Sequence, residues 1–413
     1  MAQKNFFAIY AVLMSTLVLL SAGMTPVMTS GIAYGDMANA MSATTSSTKQ
    51  PIKAEESACT RIVEQQEHER GEQLDVTKAR AVASGNSEYA SRIQGFSKVE
   101  FHSIYNTWQF NTTTCDLNWQ TVNVVYSVNT PAGFAKYVVV TEDPALSRVI
   151  SVSEQAPNFH YGPSGNATRY STANSNYWSG YEFAGDSGSP PTTAVYESKA
   201  TWAVPSVSVP YTGACTSTKP CSAAIWPGLE DQSGAGNSHL AQGGTDSQIT
   251  NCNTLCVTTN KVWFEFLPSA PVFCGGMTFA TSDSVTTDVV NRAKSGGSNT
   301  VYDVSINDNT SGQACSDTGQ SYTSMSTPIY GSFIVERAQG GGGYTLANFG
   351  TVQIGSASTY YSSASHSIYT PYSNFWYVKW VMQNPIGSNT NIGVGAVDST
   401  GAFTQTWWNS NGT

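Results

Sequence analysis

The chain has 413 residues, enough for two domains, and only 11% of them are charged. This fraction is well below the roughly 25% of average soluble domains, which favours an extracellular all-β protein over a cytosolic helical one. The net charge is -9, and no Lys/Arg cluster follows the first hundred residues, so nucleic acid is not expected as a partner.

The charges are unevenly distributed along the chain. Residues 1–170 contain 12 Lys/Arg and 14 Asp/Glu, whereas residues 171–413 contain 7 and 14. If the carboxylates of the second part were protonated, its charge would be only about +7, which predicts resistance to acid unfolding. A polar, Ser/Thr-rich secreted surface explains the same composition without acid adaptation, so both interpretations stay open.

The first residues are typical of an export signal. Lys4 precedes an apolar run from Phe6 to Ala22, and small residues follow. We predict a signal peptide over residues 1–23, with a second cleavage position after Ala40. The run is slightly short for a membrane span of about 20 residues, so an uncleaved anchor is the alternative. The expected product is a secreted protein without membrane contact, and we expect a monomer.

Eight cysteines fit an exported protein because an even number allows complete disulfide pairing. Cys215 with Cys221 and Cys252 with Cys256 would close short loops, and Cys59 with Cys115 would staple the front region. The close pair Cys252/Cys256 also suggests zinc, but no second Cys/His pair stands at finger spacing. We therefore expect neither a metal nor another cofactor.

The first half contains a small α+β unit. Residues 24–50 have the composition of a flexible spacer, and residues 53–82 are the one charged stretch with helical character. Two Val/Ile-rich strands around the turn EDPALS follow, and residues 158–176 have the composition of a linker. We predict that residues 24–170 are a removable prosegment; a permanent accessory domain is the alternative.

Beyond residue 177 the sequence alternates in short β-strand patterns. Clusters of Gly, Ser, Asn and Asp separate the runs, which include ESKATWAVPSVSV, KVWFEFLP, NTVYDVSIND, GSFIVER and NFWYVKWVMQ. Such spacing predicts that residues 171–413 form an all-β, two-sheet antiparallel sandwich of the jelly-roll or concanavalin-like kind.

Two of the predicted strands contain an embedded glutamate. Glu265 lies in VWFEFLP and Glu336 in SFIVER, each on the same face as apolar neighbours under the period-two rule. A carboxylate among such residues is costly unless it is solvated in a cleft or hydrogen-bonded. An edge or rim position that faces water is the simpler interpretation for either strand alone.

Seven segments in order resemble the glutamic peptidases, the eqolisin family. They cover the chain from about residue 174 to near its end, and a G-x-S-x-G or H-E-x-x-H motif is absent from the sequence. The segments are NYWSGYEF at Asn176, ATWAVPSV at Ala200, WPGLED at Trp226, AQGGTDS with Gln242, WFEFLP at Trp263, FIVER with Glu336, and ANFGTV.

The resemblance implies a catalytic dyad of Gln242 and Glu336 on the concave side of two packed sheets. It also implies that four further residues line or support the site. Two departures leave the local hydrogen bonding open: the family pattern has Asp where this chain has a glutamate after WPGL, and an arginine follows the catalytic strand. The four supporting residues are Trp226, Glu230, Asp246 and Glu265.

The implied activity is hydrolysis of polypeptide substrates without a metal. Glu336 would take a proton from the attacking water and return it to the leaving amine, while Gln242 would stabilise the oxyanion. An ordinary glutamate titrates near pH ~4.3, so a carboxylate base suits acidic conditions.

Two other functions remain open on the residues alone. A two-carboxylate glycoside hydrolase on a jelly roll would use Glu265 and Glu336, with Trp and Tyr as sugar platforms. A non-catalytic carbohydrate-binding sandwich would need neither of these glutamates for catalysis. Gln242 in its Gly-rich segment has no role in either alternative, and the fold alone does not decide between them.

Overall fold

The computed structural model describes most of the chain from Cys59 onward. The predicted signal peptide and spacer lie outside the described residues, as does the first part of the predicted linker. The described ranges are 59–131, 133–155, 171–185, 192–211, 213–231, 239–250, 252, 256–338, 345–361, 377–383, 391–398 and 400–408.

Three short helices begin the described chain, where the sequence predicted one charged helical stretch. The stretch divides because Asp75 caps a second helix, its carboxylate accepting a hydrogen bond from the backbone N–H of Lys78 at 2.9 Å. Asn86 caps the third helix in the same way.

None of the described helices is long and apolar enough to cross a membrane. The helices are α1 (Thr60–Glu72), α2 (Val76–Ser84) and α3 (Ser87–Ile93), and a 3-10 turn covers Arg292–Ser295.

Twenty strands follow in the part of the chain that the structure describes, as the alternating pattern predicts for an all-β chain. The first ten are β1 (Lys98–Phe110), β2 (Leu117–Thr130), β3 (Gly133–Glu142), β4 (Val149–Gln155), β5 (Ser171–Ser175), β6 (Trp178–Ala184), β7 (Val195–Ala203), β8 (Cys221–Glu230), β9 (Leu240–Thr250) and β10 (Val257–Phe266). The others are β11 (Val272–Phe273), β12 (Ser284–Asn291), β13 (Val301–Asp308), β14 (Gln313–Ser321), β15 (Tyr330–Glu336), β16 (Thr345–Leu346), β17 (Thr351–Tyr361), β18 (Tyr377–Met382), β19 (Ile392–Val394) and β20 (Phe403–Trp407).

The strands form two large sheets, which confirms the predicted sandwich. The larger sheet has the order β19-β20-β17-β7-β12-β13-β14-β1-β2-β3-β4. The other has the order β11-β10-β9-β8-β15-β6-β18-β5, and β16, which pairs with β8, is its ninth strand. Pairing is antiparallel except for β18 with β5 and β16 with β8. The end of the predicted linker is thus the strand β5, because its backbone pairs with β18 from Val378 to Met382.

The α+β unit of the first half continues the larger sheet instead of standing apart from it. Strand β1 pairs with β14 over five residues of each strand. The side chains of Tyr105 and Tyr137 belong to the main core, and the Tyr137 hydroxyl donates to the Ala270 carbonyl oxygen at 2.8 Å. Whether residues 24–170 are removed stays a prediction, but any removal must break this ladder and this shared core.

The main core fills the space between the two sheets. Odd-numbered residues of β8, β9 and β15, such as Ile225, Ala241 and Phe333, point into it, together with Trp202 and Val289 of the larger sheet. The even-numbered residues of those three strands therefore point to the opposite face of the nine-stranded sheet. That face carries every glutamate and glutamine that the sequence selected.

All eight cysteines are paired. The bonds Cys59–Cys115, Cys215–Cys221 and Cys252–Cys256 confirm the predicted pairs. The remaining bond joins Cys274, which follows β11, to Cys315 in β14. It therefore ties the two sheets together covalently across a sequence separation of 41 residues.

Candidate active site

One face of the nine-stranded sheet gathers the polar residues that the sequence selected, and we call it the glutamate face. Four buried tryptophans, Trp178, Trp226, Trp263 and Trp380, form its apolar floor. Trp178 and Trp226 pack edge to face, with ring centroids 4.9 Å apart. The polar members of the glutamate face include Glu182, Glu230, Gln242, Asp246, Glu265, Ser332 and Glu336.

Glu336 ends β15, a strand whose seven residues are all buried. The edge interpretation of this glutamate is wrong, because β15 lies inside the sheet between β8 and β6. The Trp226 indole Nε1–H donates to Glu336 Oε2 at 2.8 Å. This bond partly compensates the cost of burying the carboxylate and fixes its orientation.

Gln242 lies in β9 directly opposite Glu265 in β10. Its Nε2 donates to Glu265 Oε2 at 2.5 Å, and both side chains are almost completely buried. The amide oxygen Oε1 has no hydrogen-bonding partner among the described residues. Glu265 therefore fixes the orientation of the Gln242 amide, whose second N–H remains available as a donor.

Gln242 and Glu336 share the glutamate face but do not lie in the same row, which is the set of residues directly opposite one another on neighbouring strands. On the strand β8 between them, Gly228 is opposite Gln242 and Ala224 is opposite Glu336. These positions are four residues apart, about 13 Å along a strand. Trp226 lies on β8 between these two positions, and its indole contacts the Glu336 carboxylate.

Asp246 lies in the same row as Glu336, because Ala224 pairs with both residues. Its carboxylate accepts hydrogen bonds from Ser222 Oγ at 2.5 Å and from Gln248 Nε2 at 2.5 Å. The Lys261 ammonium in turn donates to Gln248 Oε1 at 3.1 Å. The hydrogen bond from Ser222 to Asp246 thus braces β8 against β9, which is a supporting position.

Glu230 is the last residue of β8 and lies two residues beyond Gly228 on the same face. The Ser332 hydroxyl donates to Glu230 Oε1 at 2.6 Å, so Glu230 contacts β15 four residues before Glu336. Burial, and then the charge and hydrogen bond of Glu182, raise the pKa of Glu230 well above its ordinary value of 4.5.

Glu182 is a member of the glutamate face that the sequence reasoning missed. It lies in β6, is fully buried, and is paired in register with Ser332. The signal was present in the segment NYWSGYEF, which contains a third glutamate embedded in an apolar strand.

Arg337 directly follows Glu336, the last residue of β15. Its guanidinium donates to the Asn176 carbonyl oxygen at 2.6 Å and lies 5.2 Å from the centre of the Tyr177 ring. Burial lowers its pKa from the ordinary value. The side chain thus fastens the end of β15 to the start of β6, which accounts for an arginine beside the predicted base.

Two glycines allow the strands of this face to approach closely. Gly180 has a φ of +141°, and a Cβ on it would lie 2.0 Å from the Phe333 carbonyl oxygen. A Cβ on Gly244 would lie 2.0 Å from the Ile225 carbonyl oxygen. Any larger residue at either position would push β15 or β8 out of register with its neighbour.

Chemically, the glutamate face offers a carboxylate held by one indole and an amide held by a second carboxylate. A carboxylate accepts a proton from water, and an amide N–H stabilises a developing oxyanion. The face therefore contains the components that metal-free hydrolysis of an acyl compound requires.

Comparison with solved structures finds several peptidases with low overall similarity. Scytalido-glutamic peptidase with a peptide-based transition state analog is 17% identical, covering 56% of this chain and 98% of that chain, with a TM-score of 0.40. SCP-B, a member of the Eqolisin family in a complex with the tripeptide Ala-Ile-His, is 16% identical over 56% and 98%, with a TM-score of 0.38. Aspergilloglutamic peptidase from Aspergillus niger is 18% identical over 46% and 99%, with a TM-score of 0.34. Likenesses at this level carry no argument of their own.

A search of curated protein sequences finds no match. The model of the Peptidase A4 family, however, matches residues 176–391, more than half of the 413 residues. The matched range contains both sides of the glutamate face, from Trp178 to Trp380. The chain therefore belongs to the Peptidase A4 family and is a glutamic endopeptidase.

Proposed function

We propose that this protein is a secreted, acid-active endopeptidase in which Gln242 and Glu336 activate water for the hydrolysis of peptide bonds. The observation that carries the proposal is that these two residues, and not a pair of carboxylates, are held in defined orientations by separate partners on one buried face. Four disulfides are consistent with an exported protein. The substrates are polypeptides, and the active form is a monomer.

Glu336 acts as the general base. The Trp226 N–H holds Oε2, so Oε1 takes the proton from water as the water attacks the peptide carbonyl carbon. The same carboxyl then gives the proton to the leaving nitrogen, and the carbon–nitrogen bond breaks. One proton thus passes from water to the amine through a single residue, which restores the carboxylate for the next cycle.

Gln242 stabilises the oxyanion that forms on the carbonyl oxygen. One N–H of its amide is bonded to Glu265, which leaves the second N–H as the donor to the substrate. Its Oε1 orients the attacking water. Glu265 is thereby a positioning residue, because it acts on the reaction only through the Gln242 amide.

A two-carboxylate glycoside hydrolase fits the contacts less well. Such an enzyme needs both Glu265 and Glu336 directed at one sugar, but Glu265 Oε2 is bonded to the Gln242 amide. Membership of a peptidase family also argues against it. A carbohydrate-binding sandwich would not require an oriented amide beside a buried base.

The relative losses of peptidase activity in three variants test the proposal. Purified Glu336→Gln, Glu265→Gln and, as a control outside the site, Glu197→Gln protein is assayed on an unfolded protein at about pH 3–4, where ordinary carboxylates titrate. We expect Glu336→Gln to lose nearly all activity, Glu265→Gln to lose less, and Glu197→Gln to match the wild type.

A polysaccharide assay of the same samples distinguishes the alternatives. Equal and severe losses in Glu265→Gln and Glu336→Gln, with turnover of a polysaccharide by the wild type, would support the glycosidase instead. Circular dichroism spectra must show that each variant is folded before its rate is interpreted.

A further inference from the structure

The turn between β1 and β2 contains a motif that the proposed reaction does not use. Its sequence is NTTTC, and Asn111 with Thr113 forms the pattern Asn-x-Thr. In an exported chain this pattern is the acceptor for an N-linked oligosaccharide, a bulky group that must lie on the surface. Three other asparagines stand in such a pattern: Asn309 lies in the described part of the chain, whereas Asn166 and Asn411 do not.

Asn111 lies in a turn that exposes the nitrogen of its side chain. The Oδ1 atom accepts hydrogen bonds from the backbone N–H groups of Thr113 at 2.8 Å and Thr114 at 3.0 Å. Such an Asx-turn uses only the oxygen of the amide. Residues 111–114 are all exposed, and no described residue accepts a hydrogen bond from Asn111 Nδ2.

The backbone of this turn is fixed at both ends. The Asn111 N–H donates to the Asp116 carbonyl oxygen at 3.1 Å, and the Cys115 N–H donates to the Asn111 carbonyl oxygen at 2.7 Å. The disulfide from Cys115 to Cys59 joins the turn to the start of α1. A sugar on Asn111 Nδ2 therefore requires no change in the turn, because the bonds that shape it use other atoms.

Asn309 has the same pattern in the opposite setting. It directly follows β13 and has a relative exposure of 9%. Its Nδ2 donates to Thr286 Oγ1 at 2.9 Å and to Ser284 Oγ at 3.3 Å, both in β12. A sugar on this nitrogen would break bonds inside the protein and leave buried polar groups without partners, which is costly.

We propose that Asn111 carries an N-linked oligosaccharide in the exported protein and that Asn309 of the folded protein does not. The proposal rests on the export that the proposed function includes, and it is independent of the catalytic dyad.

The modification is a group transfer from an activated sugar. The donor is an oligosaccharide joined to a lipid through a diphosphate, and a transferase of the export pathway catalyses the step. The bond between the anomeric carbon and the diphosphate oxygen breaks, and a bond forms between that carbon and Asn111 Nδ2. The nitrogen loses one proton and the lipid diphosphate leaves, so no oxidation or reduction takes place.

The folded structure selects among modified chains because the transfer takes place during export, before the sheets are complete. A sugar on Asn111 projects from an exposed turn and leaves folding unaffected. A sugar on Asn309 prevents its contacts with β12, so we expect chains with this modification to be absent from the folded product. The two positions should therefore differ completely in the secreted protein.

The test maps both asparagines in the full chain, secreted from a eukaryotic cell line that modifies its own exported proteins. All secreted polypeptide is collected, so that a removed prosegment is included, and folded material is separated by size-exclusion chromatography. A peptide N-glycosidase in heavy-oxygen water converts an occupied asparagine to labelled aspartate, which mass spectrometry locates. We expect the label at position 111 and none at position 309.

Two neighbouring substitutions provide a matched control. Thr113→Ala destroys the Asn-x-Thr pattern, whereas Thr112→Ala keeps it, and both threonines are exposed. We expect Thr113→Ala to lose the label at position 111 and Thr112→Ala to retain it. Neither residue belongs to the glutamate face, so both variants should hydrolyse an unfolded protein in acid at the wild-type rate.

Glycoproteins of the host in the same medium show that the transferase is active. If they carry the label and Asn111 of the folded wild-type protein does not, the proposal is wrong. A label at position 309 of folded protein would also overturn it. Both failures leave the proposed function intact, since peptidase activity is measured separately, whereas retention of the chain inside the cell would contradict the export on which both proposals rest.

Discussion

Glu336 is stabilised inside an apolar strand by a neighbour on β8. The Trp226 indole donates to its carboxylate within a fully buried setting, where a hydrogen bond to a charged group contributes about 1.5–3 kcal/mol. The same residue thus has two functions: its ring forms part of the floor, and its N–H orients the predicted base.

The variant Trp226→Phe separates these two functions. It keeps an aromatic ring but removes the N–H, so we expect kcat/KM to fall by at least about tenfold while the protein stays folded. Trp178→Phe is the control, since the Trp178 ring packs against Trp226 with centroids 4.9 Å apart, and its Nε1 has no hydrogen-bond partner among the described residues. Equal activities of the two variants would show that the indole N–H is unimportant.

Several site residues were predictable from the sequence, because each stands in a short segment whose order matches a known pattern. The positions of Gln242, Glu265 and Glu336 required only period-two alternation and that order. Their contacts were not predictable, since the bond from Gln242 to Glu265 depends on the register of β9 against β10. Glu182 was missed although its segment NYWSGYEF contains the same signal, a glutamate embedded in an apolar strand.

At the scale of elements, strands with clear alternation were predicted well. The segments around β10 and β13 have aromatic or β-branched residues at three successive alternate positions, which suits a sheet with two packed faces. Strand β5, with the sequence STANS, has no such pattern, and only its pairing with β18 makes it a strand. Local propensity could not reveal it.

The two sheets are joined by one long-range disulfide whose contribution can be measured. The bond Cys274–Cys315 has a sequence separation of 41, against 4 for Cys252–Cys256. The loop-entropy relation gives about 4 kcal/mol for the first and about 2 kcal/mol for the second. We expect the double variant Cys274→Ala/Cys315→Ala to lose more unfolding free energy in a urea titration than Cys252→Ala/Cys256→Ala. The reverse order would contradict this prediction.

At the scale of the whole molecule, the predicted sandwich is confirmed, but the first half is more closely joined to it than composition indicates. Charge content separates residues 1–170 from the rest, whereas hydrogen bonds join them. Gln155 exchanges two hydrogen bonds with the backbone of Phe273, and the Tyr105 hydroxyl accepts from the Gly275 N–H at 3.1 Å. Sequence composition reports surface chemistry and cannot report such a shared core.

We predict that residues 24–170 are removed during maturation and that the mature chain is less stable than the full chain. Removal would leave β14 as a sheet edge and uncover the core that Tyr105 and Tyr137 now fill. The intact mass and the N-terminal sequence of acid-treated, active protein report the boundary, and thermal melting of both forms at one pH reports the stability. Active protein that still carries Cys59–Arg169 would contradict the removal.

The central claim is that an amide and a carboxylate, Gln242 and Glu336, carry out the hydrolysis together. The most direct measurement is kcat/KM of Gln242→Ala on an unfolded protein substrate in acid, beside Gln405→Ala, a buried glutamine of the larger sheet. Loss of one oxyanion donor typically costs about 10²–10³ in rate, so the account predicts a loss of that size in Gln242→Ala and near wild-type activity in Gln405→Ala. Normal proteolysis by folded Gln242→Ala protein would contradict the account.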